Sequence, residues 1–175
     1  APLHEVLLDM IVEKLPSADA AQKYRIPHIW RGESEEDIGQ AMVNANANGD
    51  SAFMVTKVVL DPHAGEIAVG RLFSGTIKKG DQMYVAGMPN ANRVQSVGMF
   101  VGGDRIATEN VTAGNIIAVS GLRDAQSGST ISSNKDMTPF ERIVHNSDPV
   151  VTTAIEAKHT KDLPKLVEVL RAVAK

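Results

Sequence analysis

The hydrophobic positions change their period along the chain. Over residues 3–15, Leu3, Val6, Leu7, Met10, Ile11 and Leu15 recur at helical spacing, and Glu5, Asp9 and Glu13 stand on another side. This predicts an amphipathic helix, ended by Pro16 and Ser17. From residue 16 to 51 no period holds. Pro16, Pro27, the acidic run Glu33–Asp37 and the string NANANG over 44–49 predict an irregular linker with one short helix near 35–42. So long a structureless stretch is unusual in a compact domain, so the segment is expected to lie against something else.

From 52 to 132 the pattern becomes short β-rich runs at 53–60, 66–74, 82–86, 92–101, 115–120 and 129–132, punctuated by Gly, Asp and Asn. The break at 61–65 (DPHAG) reads as a turn. Such runs predict a closed antiparallel barrel or a sandwich, and a barrel removes the edges of so small a sheet. Gly70, Gly75, Gly80, Gly98 and Gly114 suit corners and bulges. Beyond a linker at 133–148, residues 149–157 predict a strand and 162–174 a helix, with Asp162 as N-cap and Pro164 in the first turn. Leu163, Leu166, Val167, Leu170 and Val173 form the helix's apolar stripe. A lone βα pair cannot bury both its faces, so residues 149–175 are expected to be the opening of a truncated α+β domain. The start at Ala1, without an initiator Met, fits the same expectation of a processed or shortened chain.

Composition narrows the chemistry. The 175 residues contain no Cys, which excludes disulfides, thiolate metal sites and a Cys nucleophile. No apolar run approaches a membrane span, and the acids within residues 3–15 argue against a signal peptide, so a cytoplasmic location and no membrane partner are expected. Net charge is −3, with nine acids against four bases in residues 1–51, so the chain is no bulk polycation and DNA is not an expected partner. No G-x-x-x-x-G-K-[ST] occurs; Gly75–Gly80 lies between strands and lacks the Gly-Lys pair, so no nucleotide cofactor is expected. The NANANG string imitates a calcium loop, but its twelfth position is Val55 where a bidentate Glu is required. His4, His28, His63, His145 and His159 have no ligand spacing, so no metal is expected. No nucleophile elbow surrounds Ser74, and Glu35–Glu36 fits a solvated face, so no catalytic residues are assigned. Lys78, Lys79, Arg93 and Arg105 lie on or beside turns, where mobile cations can meet phosphates without reading sequence.

The string GEIAVGRLFSGTIKKGD over 65–81 resembles the hallmark of the second domain of translational GTPases, G-x-[IV]-A-x-G-R-[VL]-x-x-G-x-[IL]-x-x-G-D. Gly65, Gly70, Arg71, Gly75, Gly80 and Asp81 are its matching positions, and they specify a barrel, not chemistry. LHEVLLDM at 3–10, YRIP at 24–27, VTKVVLDP at 55–62, AGNIIAVSGL at 113–122, PVVTTAIEAK at 149–158 and KDLPKL at 161–166 resemble elongation factor 2 of the archaeal and eukaryotic type, in family order. The resemblance implies a closed antiparallel Greek-key β-barrel over 52–132. A helix and linker (1–51) would follow an absent GTPase domain, and 149–175 would begin a truncated third domain. It further implies a non-catalytic piece of a GTP-dependent factor that drives ribosomal translocation of tRNA and mRNA. GTP and Mg would belong to the absent domain. The implied partners are that GTPase domain and small-subunit rRNA of the ribosome, and the uncovered βα faces add self-association. The barrel of an initiation or rescue factor, or a stand-alone protein-binding barrel, are the alternatives. The matches at 3–10 and 149–166 argue against the first, and the unpaired βα against the second.

Overall fold

The computed structural model describes residues 2–33, 36–61, 64–141 and 150–173. Among the described residues ten strands dominate: β1 (Ala52–Asp61), β2 (Gly65–Ser74), β3 (Thr76–Lys78), β4 (Gln82–Val85), β5 (Ala91–Arg93), β6 (Ser96–Val101), β7 (Asp104–Thr108), β8 (Asn110–Thr112), β9 (Ile116–Ser120) and β10 (Thr130–Ser132). Eight form one antiparallel sheet in the order β5-β4-β10-β1-β2-β9-β6-β7, and β3 pairs with β8 as a separate ribbon. Met83 and Val85 from one side of the sheet meet Val97 from the other in a single cluster with Phe53, Leu72, Ile117 and Ile131. Ile77 and Val111 of the ribbon join that cluster, so the sheet curls around one core. Each such side chain contributes roughly 1.5–3 kcal/mol by leaving water. The pairing runs from β5 to β7 without returning, so the strand ladder itself is open where a closed barrel was expected. The three-residue strands β3, β5 and β8 are too short to carry the ladder around.

The β1–β2 hairpin departs from regular pairing at a bulge. Val55 faces Gly70 and Lys57 faces Val69, leaving Thr56 as the extra residue. A Cβ on Gly70 would stand 1.9 Å from the carbonyl oxygen of Met54. Glycine is needed here for close backbone approach.

Three elements precede the sheet: α1 (Leu3–Lys14), α2 (Ala18–Ile29) and α3 (Asp37–Val43). The short helix expected near 35–42 is α3, but α2 lies where irregular linker was expected. Its sequence has almost no amphipathic period, it buries only Gln22 and Ile26, and Pro27 within its last turn reads as a breaker. Tertiary packing holds it. Ile26, Trp30, Ile38, Met42, Ala52, Phe73, Met137 and Phe140 form a second core, with Phe73 and Phe140 rings 5.0 Å apart. The Trp30 indole N–H donates to the Thr138 carbonyl at 2.7 Å, and Arg31 pairs with Glu141 at 2.5 Å. The linker expected over 133–148 is therefore anchored as far as residue 141; residues 142–149 lie outside the described set, as do Pro62 and His63 of the 61–65 turn, Ser34 and Glu35 of the acidic run, His145, and the end of the C-terminal helix at 174–175.

Two further differences have local causes. The run 92–101 is two strands, because the chain changes partners at Val94 and Gln95: Val94 N–H donates to Asp81 and Gln95 N–H to Ser120. Strands β3, β7 and β8 were not expected: Thr76–Lys78, within the stretch expected to lie between strands, pairs with Asn110–Thr112, and β6 and β7 form a hairpin in which Val101 pairs with Asp104 around Gly102–Gly103. The strand expected at 149–157 is absent over the described residues 150–157, and Val150 is 99% and Ile155 61% exposed. The helix expected at 162–174 is present as α4 (Leu163–Val173), preceded by a 3-10 turn at Thr160–Asp162, and its Leu163, Val167 and Leu170 are exposed.

Gly70→Ala is expected to destabilise the fold by about 1–3 kcal/mol or more, since backbone must move to admit the methyl group. Urea unfolding measures the loss; a variant as stable as the parent would show that the bulge yields freely.

Candidate nucleic-acid interface

The turn between β3 and β4 is built from Lys78, Lys79, Gly80 and Asp81. Gly80 has φ of +95°, a left-handed conformation that disfavours other residues. The Asp81 carboxylate accepts the Lys78 backbone N–H at 2.9 Å and so closes the turn on itself. The turn is also bolted to the residue that follows β5: Gly80 N–H donates to the Val94 carbonyl, and Val94 N–H to the Asp81 carbonyl, both at 2.9 Å. This brings Arg93 beside the turn. A Cβ on Gly80 would lie 3.9 Å from the Arg93 Nη2.

Lys78, Lys79 and Arg93 are thus exposed cations at one corner, supplied by two segments. The ion pairs found among the described residues, Lys14–Glu13 and Arg31–Glu141, involve none of them. Asp81 is the acid of the corner, and its Oδ2 is engaged by backbone. Arg123 was not singled out from sequence, yet its backbone N–H donates to Asn92 Oδ1 at 3.0 Å, next to Arg93. Thirty residues of chain separate the two arginines, so only folding reveals their proximity.

Arg105 behaves differently. On β7 it is half-buried, and its Nη2 donates to Ser96 Oγ, which shares a 2.7 Å hydrogen bond with Ser120 Oγ. Its guanidinium ties β7 to β6 directly and to β9 only through Ser96, while its Nε is buried without a hydrogen-bond partner. The geometry gathers three of the four sequence candidates into a free cationic corner and leaves the fourth in an internal network.

The remaining motif residues are structural. Gly65 ends the β1–β2 turn opposite Asp61, Gly75 packs against Ser51, and Arg71 donates to Gln22. The NANANG segment is spent on the fold: the Asn46 carbonyl accepts Gly75 N–H at 2.8 Å, and its Oδ1 accepts Asn48 N–H at 2.9 Å. No group of three His, Cys, Asp or Glu among the described residues could hold a metal ion.

Residues 65–132 match the family described as elongation factor Tu domain 2. The chain is 57% identical over its 175 residues to an elongation factor 2 from Picrophilus torridus, covering 24% of that protein. It is 57% identical over 174 residues to one from Methanosarcina thermophila, and 54% identical over 175 residues to one from Thermococcus kodakarensis, again covering 24% of each. The chain therefore spans about a quarter of the length of the curated relatives it matches.

Arg105→Ala is expected to cost about 1.5–3 kcal/mol, the range for a charged hydrogen-bond donor removed from a part-buried site. Lys79→Ala, on the exposed corner, should stay within roughly 0.5 kcal/mol of the parent. Thermal unfolding of both variants checks the contrast; equal losses would remove the distinction between network and corner.

Proposed function

On the premise that the chain is homologous along its whole length to elongation factor 2, we propose that it is the second-domain segment of a GTP-dependent factor that promotes ribosomal translocation of tRNA and mRNA in the cytoplasm. Identity at this level over the whole chain, including 3–15 and 150–173, favours this factor over an initiation or rescue factor that shares the sheet. In this reading the curled eight-stranded sheet and the β3–β8 ribbon correspond to the family's barrel; they share one cluster of buried side chains, although the strand ladder stays open.

Its role is binding, not chemistry. The chain's residues supply no phosphate loop for GTP and Mg, so hydrolysis belongs to the GTPase domain against which the barrel packs. The observation that carries the RNA reading is the corner of Lys78, Lys79 and Arg93, held in place by the Gly80 turn. Flexible exposed cations suit the phosphate backbone of small-subunit rRNA, which they position against without reading bases. The exposed apolar side chains Leu7 and Ile11 of α1 and Val167 and Leu170 of α4 favour contact between copies of the isolated chain.

Binding of the chain to small-subunit rRNA should weaken with salt on a shallow slope, about 0.7–0.9 per neutralised phosphate and so between about two and three for the three cations. Replacing Lys78, Lys79 and Arg93 together by Ala should abolish most of that slope, while Arg105→Ala should leave it. Unchanged binding in the triple variant would place the RNA contact elsewhere. Sedimentation velocity addresses self-association: concentration-dependent dimers that Leu7→Gln with Leu170→Gln disperse are expected, and a monomer at all concentrations would contradict it.

A further inference from the structure

A pair of cations, Arg25 and Arg71, lies in a different setting. A cleft of about 360 Å³ opens between α2 and the bulged part of the β1–β2 hairpin, lined by Arg25, Ile29, Met54, Arg71, Phe73 and Ile116 among others. Its wall is largely apolar, and Ile116 is 63% exposed at its edge. Arg71 is half-buried; its Nη2 donates to Gln22 Oε1 at 3.3 Å and its Cζ stands 6.0 Å from the centre of the Phe73 ring. One amide oxygen and one ring leave most of a five-donor guanidinium unused. Arg25 is exposed beside it. Neither arginine belongs to an ion pair found among the described residues. Burial, and then the charge of Arg25, hold the Arg71 guanidinium below its ordinary value.

Two like charges beside apolar surface, one of them desolvated, are stabilised by an anion between them. The character of the anion follows from the wall. A nucleic-acid strand is held by a track of cations and by open aromatic faces on which bases stack. This cleft offers two cations, and its ring, Phe73, is only 5% exposed. A guanidinium fork in an apolar recess suits a planar carboxylate, which it can engage through two parallel hydrogen bonds.

We infer that the Arg25–Arg71 cleft docks a carboxylate side chain carried on a protein segment, with a neighbouring apolar side chain seated against Ile29, Met54 and Ile116. This is a protein-binding surface distinct in chemistry from the Lys78–Lys79–Arg93 corner, and it stands whether or not that corner meets RNA.

The test is NMR titration of the isotopically labelled full chain with acetyl-Leu-Glu-Leu-amide, with its Gln counterpart, with inorganic phosphate and with a short oligouridylate. The Glu peptide should shift the Arg25 and Arg71 side-chain N–H signals together with the Ile29 and Ile116 methyl signals, and should saturate. The Gln peptide should bind about tenfold more weakly, as loss of a charge-assisted pair requires. Arg25→Gln, on an exposed helix position, should weaken the Glu peptide similarly while the remaining spectrum stays native. The inference is overturned if the Glu peptide does not saturate at millimolar concentration, if the Gln peptide binds equally, if Arg25→Gln changes nothing, or if phosphate or oligouridylate displaces the peptide at lower concentration.

Discussion

The Gln22 side chain is 1% exposed, and burying an amide is tolerable only when its hydrogen-bonding groups are met. Its Nε2 donates to the Met42 and Phe73 carbonyls, and its Oε1 accepts from Arg71. One side chain thereby ties α2 to the end of α3 and to strand β2. Each bond left unmade would strand a buried carbonyl or the amide itself, at about 1–3 kcal/mol. This constraint explains how a helix without an amphipathic period is held on the outer face of the sheet. It also fixes which way Arg71 points.

That docking gives the β1–β2 hairpin two packed faces. Phe53, Val55 and Leu72 face the interior cluster, while Ala52 and Phe73 join Ile26, Trp30 and Met42 outside. A strand pair packed on both faces has little freedom to slip, because a shift of one residue would exchange the two sets. The bulge at Thr56 lies within this clamped region, and Gly70 admits the backbone contact that the bulge demands. Strand β1 also pairs with β10, and β10 with β4, so the hairpin reaches the strand that follows the Gly80 turn through one intermediate strand.

Much of the sheet was legible because its signals are local. Alternation and turn residues marked β1, β2, β4, β9 and β10, and the 65–81 motif marked the turn that carries Lys78 and Lys79. The Gly102–Gly103 pair that makes the β6–β7 hairpin was also present as a local signal, but the polar β7 following it disguised the strand. Helix α2 was not legible, since its stability comes from Gln22 and Ile26 meeting residues far along the chain. The strand expected at 149–157 shows the reverse error: β-branched composition at Val150, Val151, Thr152, Thr153 and Ile155 is a preference that needs a partner strand, and the described residues 150–157 have none. Of the site, the identities of the cations could be read, but not their grouping. Arg105 looked equivalent to Arg93 until its bond to Ser96 appeared.

The two groups of cations illustrate why net charge says little about what such a domain binds. The whole chain is negative, and the acids concentrated in residues 1–51 account for it. Lys78, Lys79 and Arg93 project into water, where their attraction for anions is long-ranged, salt-sensitive and weakly selective. Arg25 and Arg71 border an apolar recess, where lower polarizability of the surroundings strengthens a pair once formed and penalises an ill-fitting partner. An exposed lysine corner therefore favours rapid and forgiving contact with a phosphate backbone, and a half-buried arginine with an exposed one beside it at an apolar recess favours a single carboxylate of defined geometry. Both settings arise from the same packing: the turn that exposes the first group and the helix that shelters the second are each held by hydrogen bonds to β-strand backbone.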